Sequence, residues 1–384
     1  MSRLRTFIDK IKPNFEKGGR FAKLHSTFDA FETFAYTPKT VTRTGSHIRD
    51  AVDLKRTMIV VVMALIPALL FGMWNVGFQH ARSLDPAAAF GQDVWGNFWY
   101  GFLKVLPIII VSYVTGLVIE FTFAQIRGHE VNEGFLATGL LIPLVLPVTI
   151  PLWQVALATA FAVIIGKEAF GGTGMNFVNP ALLARAFLFF AYPSSMSGNG
   201  VWISEPADAL SGATPLSAIA GGQTTASLAD MFWGLVPGSI GETCVPAILL
   251  GALLLLVTGV ASWRIMLSVV AGAVATSLMF NAIGGNAMAE LPFYYHLVMG
   301  GFAFGCVFMA TDPVTAAQTN IGKWIYGFLI GFLVIFIRVK NNAYPEGMML
   351  AILLMNVFAP LIDYIVVWFN IRRRKKRAMK VNNL

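Results

Sequence analysis

Charge is what this sequence has least of. Only 12% of its 384 residues are Asp, Glu, Lys or Arg, against 56% hydrophobic, whereas soluble globular chains run at about 25% charged and 45–50% apolar. A soluble enzyme domain or a disordered tail is excluded as the body of the chain, which leaves an integral membrane protein. Cysteine is nearly absent as well. Cys244 and Cys306 do not supply the four thiolates of an iron–sulfur or zinc site, so no protein-bound metal is expected and iron–sulfur chemistry belongs to a partner. The first 56 residues hold no apolar h-region with a small-residue cleavage site, and a retained polar head is expected there. His129 and His296 stand alone, without the spacing of a haem site. No βαβ unit surrounds Gly171-Gly172-Thr173-Gly174, which excludes a Rossmann fingerprint.

What charge there is lies at the ends. Twelve of the 28 Lys and Arg precede residue 57 and seven follow residue 371, leaving nine between them. Charge flanking apolar spans reads as topology or lipid contact rather than nucleic-acid binding, and the positive-inside bias puts both termini in the cytoplasm. Crossing about 30 Å of hydrocarbon takes about 20 apolar residues. Runs of that kind fall at roughly 57–79, 100–124, 134–149, 152–169, 177–193, 243–262, 265–283, 292–310, 324–339 and 347–370. Ten is an even number, as two cytoplasmic ends require. Arg127, Lys167, Arg264 and Lys323 then lie in inner loops, while Arg82, Arg338 and Lys340 lie outside, against the bias.

Ten spans divide as five and five around a polar segment. The expected organisation is a basic head (1–56), a first membrane repeat (57–193), an extracytoplasmic loop (194–242), a second repeat (243–370) and a basic tail (371–384). Ile165-Gly166-Lys167 before Asn179-Pro180-Ala181 is faintly echoed by Ile337-Arg338-Val339-Lys340 before Met348-Met349-Leu350. An odd-numbered repeat must invert across the membrane, and such proteins set their sites on broken, Gly/Pro-interrupted helices. The candidates for interruption are 134–149 and 292–313.

Loop 194–242 is too long to be a plain connection, and inside it lies Asp208-Ala209-Leu210-Ser211-Gly212-Ala213-Thr214-Pro215. Gly212 and Pro215 alone read as an ordinary turn. Ser211-Gly212-Ala213-Thr214 also resembles the acceptor sequence for covalent flavinylation, in which a transferase joins the phosphate of FMN to a threonine hydroxyl. That chemistry needs an accessible hydroxyl nucleophile with small neighbours.

Further segments carry a wider resemblance: Lys12-Pro13-Asn14-Phe15-Glu16-Lys17-Gly18-Gly19, Ile48-Arg49-Asp50-Ala51-Val52-Asp53-Leu54, Gly128-His129-Glu130-Val131-Asn132-Glu133-Gly134, Asn176-Phe177-Val178-Asn179-Pro180-Ala181, Ala310-Thr311-Asp312-Pro313-Val314 and Ala359-Pro360-Leu361-Ile362-Asp363. In order and over the whole chain, these resemble the NqrB family of the sodium-translocating NADH:quinone reductase, together with the related RnfD subunits. RnfD generally lacks the basic head seen at 1–56.

The resemblance implies a bacterial inner-membrane component of a six-subunit complex, beside the five other Nqr subunits (A, C, D, E and F). It implies FMN esterified to Thr214 by a flavin transferase, non-covalent riboflavin, ubiquinone as acceptor for electrons from NADH, and coupled Na+ export. Arg185, within the fifth span, either faces a flavin or pairs with an acid on another helix. Asn176 and Asn179 either match the polar edge of a flavin ring or cap a helix. Glu130 and Glu133, on a short cytoplasmic loop, are either quinone-site residues or solvated acids. Glu120, Asp312 and Asp363 are candidates for a sodium path, since ionisable groups in apolar runs are functional hypotheses and sodium takes oxygen ligands. Two other readings stay open: an RnfD-type subunit of a ferredoxin-linked ion pump, and a solute channel or transporter, for which the Ser211–Pro215 stretch is a turn without flavin.

Overall fold

A computed structural model describes residues 3–15, 54–85, 91–127, 134–198, 200–205, 212–222, 226–341 and 346–382, with isolated positions between 19 and 46. Ser211, Glu130 and Glu133 lie outside the described residues. All regular structure among the described residues is helical. In a membrane this follows from the backbone, because only a helix or a closed barrel satisfies every N–H and C=O without water.

The helices are α1 (Arg3–Ile11), α2 (Leu54–Leu84), α3 (Val94–Arg127), α4 (Phe135–Leu144), α5 (Leu152–Gly166), α6 (Pro180–Ala191), α7 (Pro215–Ala220), α8 (Leu228–Trp233), α9 (Val245–Val257), α10 (Trp263–Ile283), α11 (Phe293–Val298), α12 (Phe302–Phe304), α13 (Asn320–Lys340) and α14 (Met348–Asn382), with single turns between them. Six segments are long and apolar enough to cross a membrane unaided: those built on α2, α3, α5, α10, α13 and α14. The other predicted spans are shorter than the hydropathy suggests. α4, α6 and α9 hold 10, 12 and 13 residues, and the run expected at 292–310 is cut by Met299, Gly300 and Gly301 between α11 and α12, the latter continuing as a π-helical turn, Gly305–Met309. Apolar composition predicted helical character in these runs but not helix continuity. Pro147 and Pro151 end the α4 region, and Gly300 has the left-handed φ of +59° that glycine tolerates.

Packing is by close backbone approach. On α3 the buried positions Asn97, Gly101, Val105, Ile108, Ser112, Gly116, Glu120 and Ala124 recur every three or four residues, one stripe turned inward, while Trp95, Trp99, Leu103, Ile110, Val114 and Val118 stand exposed. α10 and α13 run side by side in the same direction. A Cβ on Gly272 would strike the Phe328 carbonyl oxygen, and one on Gly331 the Val269 carbonyl oxygen. Small residues replace hydrophobic drive where lipid is as apolar as the side chains.

Hydrogen bonds fix which segments share an end of the bundle. At the end where α2 begins, Arg127 donates to the Glu168 carbonyl (2.7 Å) and Asn179 to Asp312 (3.2 Å). At the opposite end Tyr100 donates to Ser204 (3.2 Å), Thr149 to the Val201 carbonyl (2.8 Å) and Asn75 to the Val236 carbonyl (3.1 Å). Lys104 also binds Glu205 there at 2.6 Å, and with Tyr100 it holds that exposed carboxyl below the usual carboxylate range.

Lys167 and Arg338, counted as loop charges from the sequence, are buried. Arg338 sits inside α13 with none of its surface exposed, and Lys167 follows α5 in an ion pair with Glu120 of α3. An isolated charge in that setting costs several kcal/mol, roughly, unless it is paired. Lys167 has its carboxylate. Arg338 has the carbonyls that α11 leaves unsatisfied where it breaks, donating to His296 O at 2.6 Å and Met299 O at 2.9 Å.

Candidate functional site

Two cavities flank the interrupted helices, one at each end of the bundle. The larger, with about 710 Å3 of empty space that includes open solvent, lies at the end where α2 begins and is lined by Lys167, Thr173, Asn176, Asn179, Thr311 and Asp312 among apolar side chains. Left-handed Gly171, Gly172 and Gly174 (φ +118°, +98° and +90°) turn the chain between α5 and α6 and bring Thr173 and Asn176 to the cavity wall. Asn179 caps α6, its Oδ1 accepting from Ala181 N (3.0 Å) and Leu182 N (3.2 Å). The capping role foreseen for it is therefore real. The same side chain also lines the cavity and donates from Nδ2 to Asp312, whose carboxylate accepts further bonds from Val314 N (3.1 Å) and Thr315 Oγ1 (2.9 Å). Asn176 donates to Val178 O at 3.1 Å.

The second cavity opens at the far end, with about 430 Å3 of empty space, part of it open to solvent. Thr214, Leu216, Met231 and Val236 line one side, and Ser239, Glu242, Met299, Gly300 and Glu346 the other. Thr214 is the N-cap of α7: its Oγ1 accepts from Ser217 N at 3.3 Å and lies 3.1 Å from Ser217 Oγ. Gly212, Ala213 and Pro215 flank it as expected, and a Cβ on Gly300 would lie 3.3 Å from Leu216, so α7 rests directly on the break between α11 and α12.

Behind this cleft stands Arg185. Its Nη1 donates to the Val145 carbonyl, to Ser239 Oγ (3.1 Å) and to Glu242 (3.4 Å), while Nη2 meets Glu346. Arg185 pairs with two acids, both in connections rather than on another helix as the sequence reading supposed. Glu242 and Glu346 line both the Thr214 cleft and a smaller deep cavity that Arg185 also lines. These five groups join the first half of the chain (Arg185, Val145) to the middle loop (Ser239, Glu242) and to the approach to α14 (Glu346). Sequence reading missed Glu242 and Glu346, because both lie in polar segments between apolar runs, where an acid ordinarily faces water. Arg338 carried a usable signal: a cation within Phe336-Ile337-Arg338-Val339 obeys the same rule that singled out Arg185.

The remaining candidates are dispersed. Glu120 is neutralised by Lys167, which itself lines the larger cavity. Asp363 of α14 holds the residues that lead into α13, accepting from Gln318 N (2.6 Å), Thr319 N (3.0 Å) and Thr319 Oγ1 (2.5 Å), while Thr319 itself caps that helix. Replacing Asp363 by Ala is expected to destabilise the protein by about 1.5–3 kcal/mol, the size of a hydrogen bond to a charged group, read as a lower thermal midpoint in detergent. An unchanged midpoint would show that these bonds are not needed.

The model of the NQR2, RnfD, RnfE family matches residues 41–372 of this chain. Curated relatives match almost end to end. The B subunit of the Na(+)-translocating NADH-quinone reductase of Azotobacter vinelandii is 51% identical, that of Ectopseudomonas mendocina 50% and that of Chromohalobacter salexigens 49%, each over 97% of this chain and 96–99% of the relative. Identity at this level over nearly the full length of both chains, together with the family match over the helical body, means that the chain belongs to the NQR2, RnfD, RnfE family.

Proposed function

We propose that the chain is the NqrB component of a sodium-translocating NADH:quinone reductase, a redox subunit of the bacterial inner membrane that works beside the five other Nqr subunits (A, C, D, E and F). It carries FMN on Thr214, binds riboflavin, delivers electrons to ubiquinone and contributes to Na+ export. The observation that carries this reading is that Thr214 lines a mainly apolar cavity, in a chain about 50% identical over its length to proteins bearing that name. Both termini are cytoplasmic in this reading, and ten crossings form two inverted repeats. Support for the repeats comes from the interruptions after α4 and α11. Each is capped by a buried arginine, Arg185 on the Val145 carbonyl and Arg338 on the His296 and Met299 carbonyls.

The residues present fit the groups this reading requires. Esterification at Thr214 removes the proton on Oγ1 but leaves the oxygen able to accept from Ser217 N, so the cap on α7 survives modification. The cleft offers Leu216, Met231, Val236 and Met299 to a flat ring, with hydroxyl and carboxylate groups at its edge. Amide and hydroxyl groups of Asn176, Asn179 and Thr173 fit the donor–acceptor edge of a second flavin in the larger cavity. Bound flavins supply reversible one- and two-electron transfer. The chain does the rest: it holds the two sites against one discontinuous helix, with Gly300 in one and Thr311 in the other, and buries Phe302, Phe304 and Phe308 between them. Glu120, Asp312 and Asp363 are the proposed sodium-path acids, and Glu130 and Glu133 the proposed quinone-side acids.

Peptide mass spectrometry of residues 204–230, from protein made where a flavin transferase is present, tests the reading. The expected peptide is heavier by FMN less one water and fragments to Thr214. An unmodified peptide from active membranes would favour the channel or transporter reading.

A further inference from the structure

The last helix is longer than a membrane requires. α14 runs 35 residues without interruption, about 52 Å at 1.5 Å per residue, against a hydrocarbon layer of about 30 Å. Its apolar surface ends with exposed Trp368, Phe369 and Ile371, and Arg372, Arg373, Arg374, Lys375, Lys376 and Arg377 follow, all exposed. No acid follows Asp363 in the sequence, and none of the ion pairs among the described residues uses these six cations. The Arg372 guanidinium lies 3.6 Å from the Trp368 ring centroid, one turn nearer the bundle. Trp is an interface residue, so this stack ties the first cation to the level of the membrane surface.

We propose that Arg372–Arg377 form a cationic collar that binds anionic phospholipid headgroups of the leaflet through which α14 leaves, and that the bound lipid sets the height of α14 in the membrane. Two features favour headgroups over an acidic protein surface. Six consecutive helical residues turn through more than one and a half circuits, so cations point to every side; a docking protein covers one face and reads positions three and four apart. Six residues also rise about 9 Å, close to the roughly 5–8 Å depth of a headgroup layer. The height of α14 matters because two internal links depend on it. Glu346, two residues before its start, meets Arg185, and Asp363 accepts from Thr319, the N-cap of α13. A slip of one turn, about 5.4 Å, breaks both.

The test uses the assembled complex in nanodiscs of phosphatidylcholine with phosphatidylglycerol, scored by native mass spectrometry for retained lipid and for subunits. A variant with Arg373, Arg374, Lys375 and Lys376 replaced by Gln is expected to retain about tenfold less phosphatidylglycerol than wild type, with its subunits intact. A variant with Arg373 and Arg374 replaced by Lys is expected to retain it, and salt is expected to weaken retention in wild type. Phosphatidylglycerol retained at the wild-type level by the Gln variant would overturn the proposal. So would loss of a neighbouring subunit with lipid unchanged, which would make the collar a protein-docking surface.

Discussion

Thr214→Val is expected to abolish covalent flavin on this subunit and to bring quinone reduction by the assembled complex down to background. Valine keeps the shape of threonine and removes the only atom through which an ester forms at that position. Its structural effect is small. The bonds lost are the cap from Ser217 N to Oγ1 at 3.3 Å, worth about 1 kcal/mol, and the contact of Oγ1 with Ser217 Oγ at 3.1 Å, while Ser217 Oγ keeps its 2.9 Å bond to the Thr214 carbonyl. Flavin fluorescence at the subunit's position on a denaturing gel reads the outcome, and thermal unfolding shows whether the fold persists. Thr214→Ser keeps a hydroxyl and a cap, so it is expected to stay flavinylated. A fluorescent band surviving in the valine variant would move the attachment elsewhere.

Arg185→Met is expected to destabilise the protein by about 3–5 kcal/mol, the range for removing one partner of a buried ionic cluster. Arg185 and Glu242 are 4% and 12% exposed at their side chains and Glu346 22%, so water does little to screen what remains. Without the guanidinium, two carboxylates face the same space, the Val145 carbonyl at the end of α4 loses its donor, and Ser239 loses a partner. A triple variant separates charge from packing. Adding Glu242→Gln and Glu346→Gln to Arg185→Met is expected to recover a large part of the loss, because the penalty comes from unpaired charge rather than from missing volume. Arg185→Lys is expected to fall between wild type and Met, since an ammonium does not reproduce a planar fork shared by four acceptors. Equal thermal midpoints for the single and triple variants would mean that the cost lies in packing.

The helical body was legible because lipid imposes one strong rule: long apolar runs become helices, and runs such as 265–283 and 324–339 correspond to α10 and α13 almost residue for residue. The same rule hid the breaks. Val145–Ile150 and Met299–Gly301 are as apolar as their surroundings, and a window of hydropathy does not register where the hydrogen-bond ladder stops. What closes each gap is a group distant in sequence: Gly241 N on the Leu144 carbonyl at 2.7 Å and Arg185 on the Val145 carbonyl, with Arg338 doing the same beyond α11.

The candidate site divides in the same way. Thr214 is proposed from a short motif of hydroxyl and small residues in consecutive positions, and the structure adds that it lines a cavity. Arg185 and Asp312 stood out because charge is rare in apolar runs, and rarity alone marks a position. The sequence by itself determined that this is a helical membrane chain with a Ser-Gly-Ala-Thr stretch in its longest polar loop, since composition and local motifs depend only on neighbours along the chain. Only the tertiary structure decided what those residues meet: that Arg185 is shared between Glu242 and Glu346, that Asn179 both caps α6 and reaches Asp312, and that Thr214 opens on the break at Gly300. The hydrogen bonds from Arg185 and from Asn179 to Asp312 join segments from 40 to 161 residues apart, a separation at which pairing is set by how interrupted helices satisfy their exposed backbone and buried charge, not by any local preference.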